Sequence, residues 1–259
     1  MRPNPLKTRL QAGEQCYGLF AFEFFTPGLA QAAKEAGAEF ILLDMEHSGA
    51  GIDVMKQQIA YCRGIDIVPI VRVPTYQYHF VARVLDAGAL GIMVPMVETV
   101  EQARDIVRWC NYPPQGRRGA VLGAAHDDYT GGNVRDKFAA ANARCFISVQ
   151  VETDVGVQNV EEIAAVPGLD SICIGFLDLS NFLGVPGELQ HPTYLAAVDR
   201  IAAAGRKNGK ILGTAAPNEA FAREYAERGF QFICFGTDVY LLQSALSQRI
   251  AAMRETGSR

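Results

Sequence analysis

The hydrophobic positions along this chain follow two alternating rhythms. Short apolar runs rich in β-branched and aromatic residues fall at 17–22, 40–44, 67–71, 91–94, 146–151, 171–175, 211–215 and 232–235. Between them lie alanine-rich segments with apolar residues at helical spacing, at 29–36, 54–63, 79–87, 100–109, 160–165, 194–208 and 219–228. Short apolar runs without polar interruption predict strands buried on both faces, as in a parallel sheet. Gly37, Gly88 and Gly229 end helical segments, where glycine supplies the left-handed residue that turns the chain toward the next strand. Eight strands alternating with helices predict an α/β fold, and a closed (β/α)8 barrel over residues 1–259 is the economical arrangement. A doubly wound sheet is the alternative, but no Gly-x-Gly-x-x-Gly follows the first strand.

Two segments depart from the rhythm. Residues 111–135 contain Tyr-Pro-Pro-Gln-Gly-Arg-Arg-Gly and later Ala-His-Asp-Asp-Tyr-Thr-Gly-Gly, a long polar loop whose Arg, His, Asp and Tyr content suits contact with a substrate. The last helical segment, 239–253, carries Leu241, Leu242, Leu246 and Ile250 toward one side, which fits packing under the barrel or on another subunit.

Composition narrows the function. The net charge of −4 over 259 residues leaves no electrostatic footprint for nucleic acid. The six cysteines show no close pairing, and several sit in strand-like runs as small hydrophobes, as expected of a reduced cytoplasm. No apolar run approaches membrane-spanning length, and the first residues lack the apolar core of a signal peptide. A cytoplasmic protein without membrane or nucleic-acid partners is expected.

The chemistry is predicted at the carboxyl ends of the strands, where barrel active sites assemble. Phe40-Ile-Leu-Leu runs into Asp44, Glu46 and His47, three ionisable groups whose burial costs desolvation energy unless something pairs with them. The third strand ends in Arg72, the fifth in Gln150 and Glu152, and the sixth leads to Asp178. Glu152 and Asp178 form a hard oxygen pair suited to Mg²⁺ or Mn²⁺. Arg72 is a fixed cation for an oxyanion or carboxylate, and His47 is suited to proton transfer near neutral pH. Each has a structural alternative. Glu152 or Asp178 could cap a helix, Arg72 could simply pair with Asp44, and a lone histidine is more often structural. His79, His126 and His191 show no metal-ligand spacing and read as surface or loop residues.

These pieces resemble one family. Leu-Leu-Asp-Met-Glu-His47, Pro-Ile-Val-Arg72, Leu-Asp86-Ala-Gly, Val-Pro95-Met-Val, Tyr-Pro-Pro-Gln-Gly-Arg-Arg-Gly119, Val-Gln150-Val-Glu152-Thr and Ile-Gly175-Phe-Leu-Asp178-Leu-Ser are similar, in order and spacing, to HpcH/HpaI aldolases. These are metal-dependent class II pyruvate aldolases of the 4-hydroxy-2-oxoheptanedioate aldolase type. The resemblance implies a barrel of the phosphoenolpyruvate/pyruvate-domain type, assembled as a hexamer (a trimer of dimers) with the C-terminal helix exchanged between subunits. It implies a divalent ion, Mg²⁺, Mn²⁺ or Co²⁺, held by Glu152 and Asp178 with Gln150, Glu46 and Asp44 around it. Pyruvate would chelate the ion, with its carboxylate at the amides of Leu177 and Asp178 beside Gly175. Arg72 would stabilise the enolate oxygen, and His47, paired with Asp86 of an adjacent subunit, would serve in proton transfer. The implied reaction is reversible cleavage of a 4-hydroxy-2-oxo acid to pyruvate and an aldehyde, as in aromatic or sugar-acid catabolism. No lysine lies at the predicted strand ends, which argues against a Schiff-base aldolase. Phe176 and Leu177 stand where the family usually has Pro and a variable residue, and the loop after Gly119 also departs from the family pattern. The aldehyde is therefore not implied. A related lyase or synthase acting on a larger acid or a CoA ester, and a non-catalytic ligand-binding barrel, are the competing readings.

Overall fold

The computed structural model describes residues 1–256. Eight parallel strands close into a barrel in sequence order: β1 Cys16–Ala21, β2 Phe40–Asp44, β3 Val68–Arg72, β4 Gly91–Val94, β5 Phe146–Gln150, β6 Ser171–Ile174, β7 Ile211–Ala216 and β8 Phe232–Thr237. β1 pairs with β8 as well as β2, which closes the ring. The predicted strands lie within two residues of these bounds.

The apolar runs are continuous because alternate residues enter two different cores. Ile41, Leu43, Val71, Ile92, Val149 and Ile172 face outward into the layer between the barrel and its helices. Phe40, Leu42, Val68, Ile70, Phe146 and Phe232 face inward and fill the barrel itself. The inward rings pack tightly, with Phe40 and Phe232 centroids 4.4 Å apart and Phe146 and Phe232 5.2 Å apart. Gly18 makes this possible, since a Cβ there would lie 2.4 Å from the Phe40 ring. The interior is thus a packed core, not a channel.

The same alternation decides where chemistry can sit. Continuing the inward register from Phe40 and Leu42 reaches Asp44; from Val68 and Ile70 it reaches Arg72. From Phe146 it passes Ser148 to Gln150 and then Glu152. Inward positions are therefore apolar at the amino-terminal end and polar at the carboxyl-terminal end.

The amino-terminal end is stoppered by a helix that the apolar rhythm did not predict, Pro5–Gln11. Asn4 caps it, Pro5 occupies its first turn, and Leu6 and Leu10 join the interior core. Asn4 Nδ2 donates to the carbonyls of Leu90 and Arg144, both at 2.9 Å, fixing the plug to the barrel floor. A second unpredicted helix, Val134–Arg144, carries little apolar signal, because only Lys137 and Ala141 of it are buried.

The 111–135 segment does not face the mouth of its own barrel. Its partners are Arg2, Arg63, Tyr78, Asp86 and Arg144, on the outer surface and at the amino-terminal end. His126 within it is buried, a correction to its reading as a surface or loop residue: its Nε2 lies 3.3 Å from the Tyr112 hydroxyl. Asp127 anchors the segment, accepting from Lys137 Nζ at 2.7 Å and from the amides of Gly123 and Ala124.

The last helix, Asp238–Thr256, exposes Leu241, Leu242, Leu246 and Ile250 rather than packing them beneath the barrel. An apolar groove of about 560 Å³ lies outside β8 and β1, lined by Tyr17, Leu19, Leu29, Phe235, Leu241 and Leu242. Among the described residues no helix is long and apolar enough to cross a membrane.

Candidate functional site

The site builds outward from Asp44. This carboxylate is fully buried at the last residue of β2, and its oxygens accept from the amides of Glu46, His47 and Ser48. Arg72 Nε donates to Asp44 Oδ1 at 2.6 Å. Asp44 therefore shapes the turn that presents Glu46 and His47, while holding Arg72 in place. The expected Asp44–Arg72 pairing is present, and it leaves the guanidinium with further donors. Arg72 Nη1 reaches Glu46 Oε2 at 3.1 Å, and that oxygen lies 3.7 Å from His47 Nε2. The arginine lies with its Cζ 4.5 Å from the Phe20 ring centroid and 5.9 Å from that of Phe22. Its position is set by these cation–π contacts as well as by the ion pairs. His47 is over half exposed at the rim, with the Phe22 ring 6.2 Å away.

Glu152 sits across the mouth, at two per cent exposure. Its Oε1 accepts the Met96 amide at 2.8 Å and its Oε2 accepts Gln150 Nε2 at 3.0 Å. Burial pushes its pKa up to about 8, the neighbouring Glu46 and Asp178 charges add to the rise, and the Met96 amide and Arg72 oppose it. Burial also raises Glu46, with Arg72 and His47 opposing and Asp44 and Asp178 adding. These mutual effects place Glu46, Arg72, Glu152 and Asp178 in one electrostatic neighbourhood.

Two further details mark Glu152 as crowded. A Cβ at Gly175 would lie 1.9 Å from Glu152 Oε2, so only glycine lets β6 approach this carboxylate. Met96 adopts a left-handed φ of 55° while donating its amide to Glu152, a conformation that costs a non-glycine residue energy. The side-chain amide oxygen of Gln150, Oε1, is buried and has no hydrogen-bond partner.

The helix-capping alternatives do not hold. Thr153, not Glu152, caps helix Asp154–Gln158, its hydroxyl accepting the Gly156 amide at 2.9 Å. Gly175 occupies the cap position of helix Phe176–Phe182, leaving Asp178 inside the first turn and partly exposed. Leu177 is well exposed beside it.

Asp86 is not brought to His47 within the chain. It ends helix Tyr78–Asp86, near the barrel floor, and pairs with Arg118 at 2.5 Å. One residue escaped notice in the sequence. Asp238, at the start of the last helix, accepts from the amides of Phe22, Glu23 and Phe24 and ties the segment after β1 to β8. An acidic residue opening a helix was its only signal.

A (β/α)8 barrel whose mouth gathers buried carboxylates around one fixed arginine defines a class of enzyme-like folds rather than a single activity. The comparison with known proteins is narrower. Residues 17–245 match the HpcH/HpaI aldolase/citrate lyase family, and the chain belongs to it. It is 36% identical to the 5-keto-4-deoxy-D-glucarate aldolase of Klebsiella pneumoniae over 249 residues, 96% of each chain. It is also 36% identical to the hydroxypyruvate/pyruvate aldolase of Chromohalobacter salexigens over 248 residues, again 96% of each. Among solved structures, an HpcH/HpaI aldolase from Desulfitobacterium hafniense superposes with a TM-score of 0.93 at 29% identity, covering 98% of both chains.

Proposed function

We propose that this protein is a divalent-metal-dependent class II aldolase that reversibly cleaves a 4-hydroxy-2-oxo acid to pyruvate and an aldehyde. The observation that carries the reading is Glu152: a buried carboxylate with a raised pKa, beside Asp178 and a Gln150 oxygen without a partner. Such a group is destabilised until a cation arrives, and its all-oxygen surroundings fit Mg²⁺ or Mn²⁺, with Co²⁺ also accommodated. Among the described residues no three His, Cys, Asp or Glu side chains converge as a ready-made metal cage. Glu152 and Asp178 would hold the ion, leaving positions for water and an oxo acid, with Gln150, Glu46 and Asp44 outside them. When bound, the ion supplies Lewis-acid stabilisation of negative charge on the substrate's keto oxygen.

The chain's own residues supply the rest. The amides of Leu177 and Asp178, in the first turn after Gly175, receive the pyruvate carboxylate at a helix start. Arg72, oriented by Asp44 and Phe20, holds the oxygen on which charge develops as the carbon–carbon bond breaks. In cleavage, a base takes the proton from the C4 hydroxyl; the C3–C4 bond breaks, the aldehyde leaves and the C3 carbanion is delocalised as enolate. Protonation at C3 then gives pyruvate. His47, at the rim beside Glu46, moves the proton at the hydroxyl oxygen.

A second copy of the chain fits the outer groove. The apolar residues of helix Asp238–Thr256 and the groove outside β8 and β1 are complementary in character, so an exchanged C-terminal helix in a hexamer covers both. In such an assembly Asp86 of a neighbour reaches His47, which its position in the chain does not permit.

The test is deuterium exchange into the pyruvate methyl group. Exchange is expected with Mg²⁺ or Mn²⁺ and not after EDTA treatment, and Arg72→Ala should abolish it. Exchange or cleavage that survives EDTA would exclude the metal-dependent reading. Binding of pyruvate without exchange would favour a non-catalytic barrel. Acceptance of a CoA ester in place of pyruvate would favour the larger-acid reading, which the family's pairing of aldolases with citrate lyases keeps in view.

A further inference from the structure

The aldehyde half of the site differs from the pyruvate half in one respect that the sequence makes plain. The segments that follow β1 to β7 at the mouth, 22–28, 45–51, 73–77, 95–99, 151–153, 175–191 and 217–218, contain no lysine and no arginine. The cation at the mouth is Arg72, and it is engaged by Asp44 and Glu46. Four carboxylates, Asp44, Glu46, Glu152 and Asp178, stand around this one guanidinium within the chain, and a neighbour's Asp86 would arrive with its own cation, Arg118, already paired to it. Even with a divalent ion and one bound pyruvate, the mouth stays negative.

Around that charge the strand ends present apolar surface. Phe22, after β1, stands beside Arg72 and His47. Met96, after β4, is bonded to Glu152 through its amide and is 38% exposed. Leu177, after β6, is 59% exposed in the turn that holds Asp178. Ala215, near the end of β7, is a small, partly buried residue packed beside the interior core. A carboxylate on the second substrate would meet like charge and unsatisfiable apolar walls, whereas a hydrocarbon chain would displace water from them.

Resting on the aldolase reading, we propose that the acceptor aldehyde is uncharged and apolar, and that Phe22, Met96, Leu177 and Ala215 form its specificity wall. Discrimination arises from repulsion as much as from fit: with Arg72 and a neighbour's Arg118 both engaged by carboxylates, the negative mouth rejects an acidic aldehyde, and the apolar side chains hold a neutral one.

The experiment compares two aldehydes of four carbons that differ by one carboxylate, butanal and 4-oxobutanoate, each condensed with pyruvate in the presence of Mg²⁺. Deuterium exchange into pyruvate is followed in the same preparation. Butanal is expected to have at least a tenfold higher kcat/KM, and Leu177→Arg is expected to shift the ratio toward 4-oxobutanoate by fivefold or more. The ratio, rather than the rate, is the readout, so a general loss of activity in the variant does not affect it. Exchange accompanied by equal or greater use of 4-oxobutanoate overturns the acceptor assignment and leaves the enolate chemistry standing. A ratio unmoved by Leu177→Arg removes Leu177 from the wall and overturns the assignment as stated. Absence of exchange overturns both the acceptor class and the aldolase reading.

Discussion

The two ends of this barrel differ in how fully they compensate the charge they bury. At the amino-terminal end two acids at least partly buried, Asp127 and Asp170 just before β6, each have a cation at hydrogen-bond distance. Asp127 meets Lys137 at 2.7 Å, and Asp170 meets Lys7 at 3.0 Å, with Lys7 also donating to the Cys145 carbonyl. At the carboxyl-terminal end Asp44 is likewise paired with Arg72, but Glu152, as deeply buried, has only an amide and a glutamine as partners and two more acids nearby. Burial is the same; compensation is not. A folded chain retains such an imbalance where a ligand completes it, and the strained Met96 backbone and the partnerless Gln150 oxygen lie at the same spot. One end is settled by folding alone, and the other waits for something to bind.

Substitutions at the two ends should therefore separate stability from activity. Glu152→Gln should lower the pyruvate exchange rate by about 10³-fold, the loss of several kcal/mol of charge stabilisation. Thermal unfolding of the same variant, without added metal, should show no loss of stability, because the substitution removes a charge that burial disfavours. A large drop in melting temperature would mean that Glu152 is a structural residue. At the opposite end, Lys137→Ala should cost on the order of 3 kcal/mol in denaturant unfolding, since it leaves Asp127 buried without its cation. Exchange activity of the protein that remains folded should persist. Gln150→Leu, which alters only the surroundings of Glu152, should weaken Mn²⁺ binding by about 10- to 100-fold in calorimetry. An unchanged affinity would detach Gln150 from the metal.

Acid should expose the contrast most gently. Burial alone would raise Asp127, but Lys137 and the Gly123 amide overcome it and hold its pKa at about 2, below the ordinary aspartate value of 3.8. Its contribution to stability is complete above 3.8 and is lost as the pH falls through about 2. Acid titration of Lys137→Met should lack that loss, since no cation is left to depress the carboxyl. An acid limb unchanged from that of the unmodified protein would assign the effect to other carboxylates.

Much of this was legible in the residues. The strands were readable because inward and outward positions are both apolar, and the polar positions that interrupt them, Asp44, Arg72, Gln150 and Glu152, are inward-facing by register. Helix Pro5–Gln11 was missed although its Asn-Pro start and its leucines four apart are start and packing signals, because a single buried turn carries no periodic pattern. The 111–135 segment was misplaced for a different reason. Its arginines and acids look like site chemistry in isolation, and only the topology shows that it follows a helix descending to the barrel floor. Charged residues there pair with Arg2, Asp86, Lys137 and Arg144, all outside the segment. Asp238 was unreadable because its three amide partners lie more than two hundred residues away in sequence.

The plugged floor has a kinetic consequence. With Leu6, Leu10 and the packed phenylalanines filling the interior, access to the strand ends is from the mouth alone, and on the proposed reading pyruvate, at the amides of Leu177 and Asp178, would lie beneath the aldehyde. Whatever binds deepest must arrive first and depart last. Cleavage should therefore release its products in a fixed sequence, aldehyde ahead of pyruvate, and condensation should run as an ordered bi-uni reaction. Pyruvate would then inhibit cleavage competitively, while the aldehyde would not.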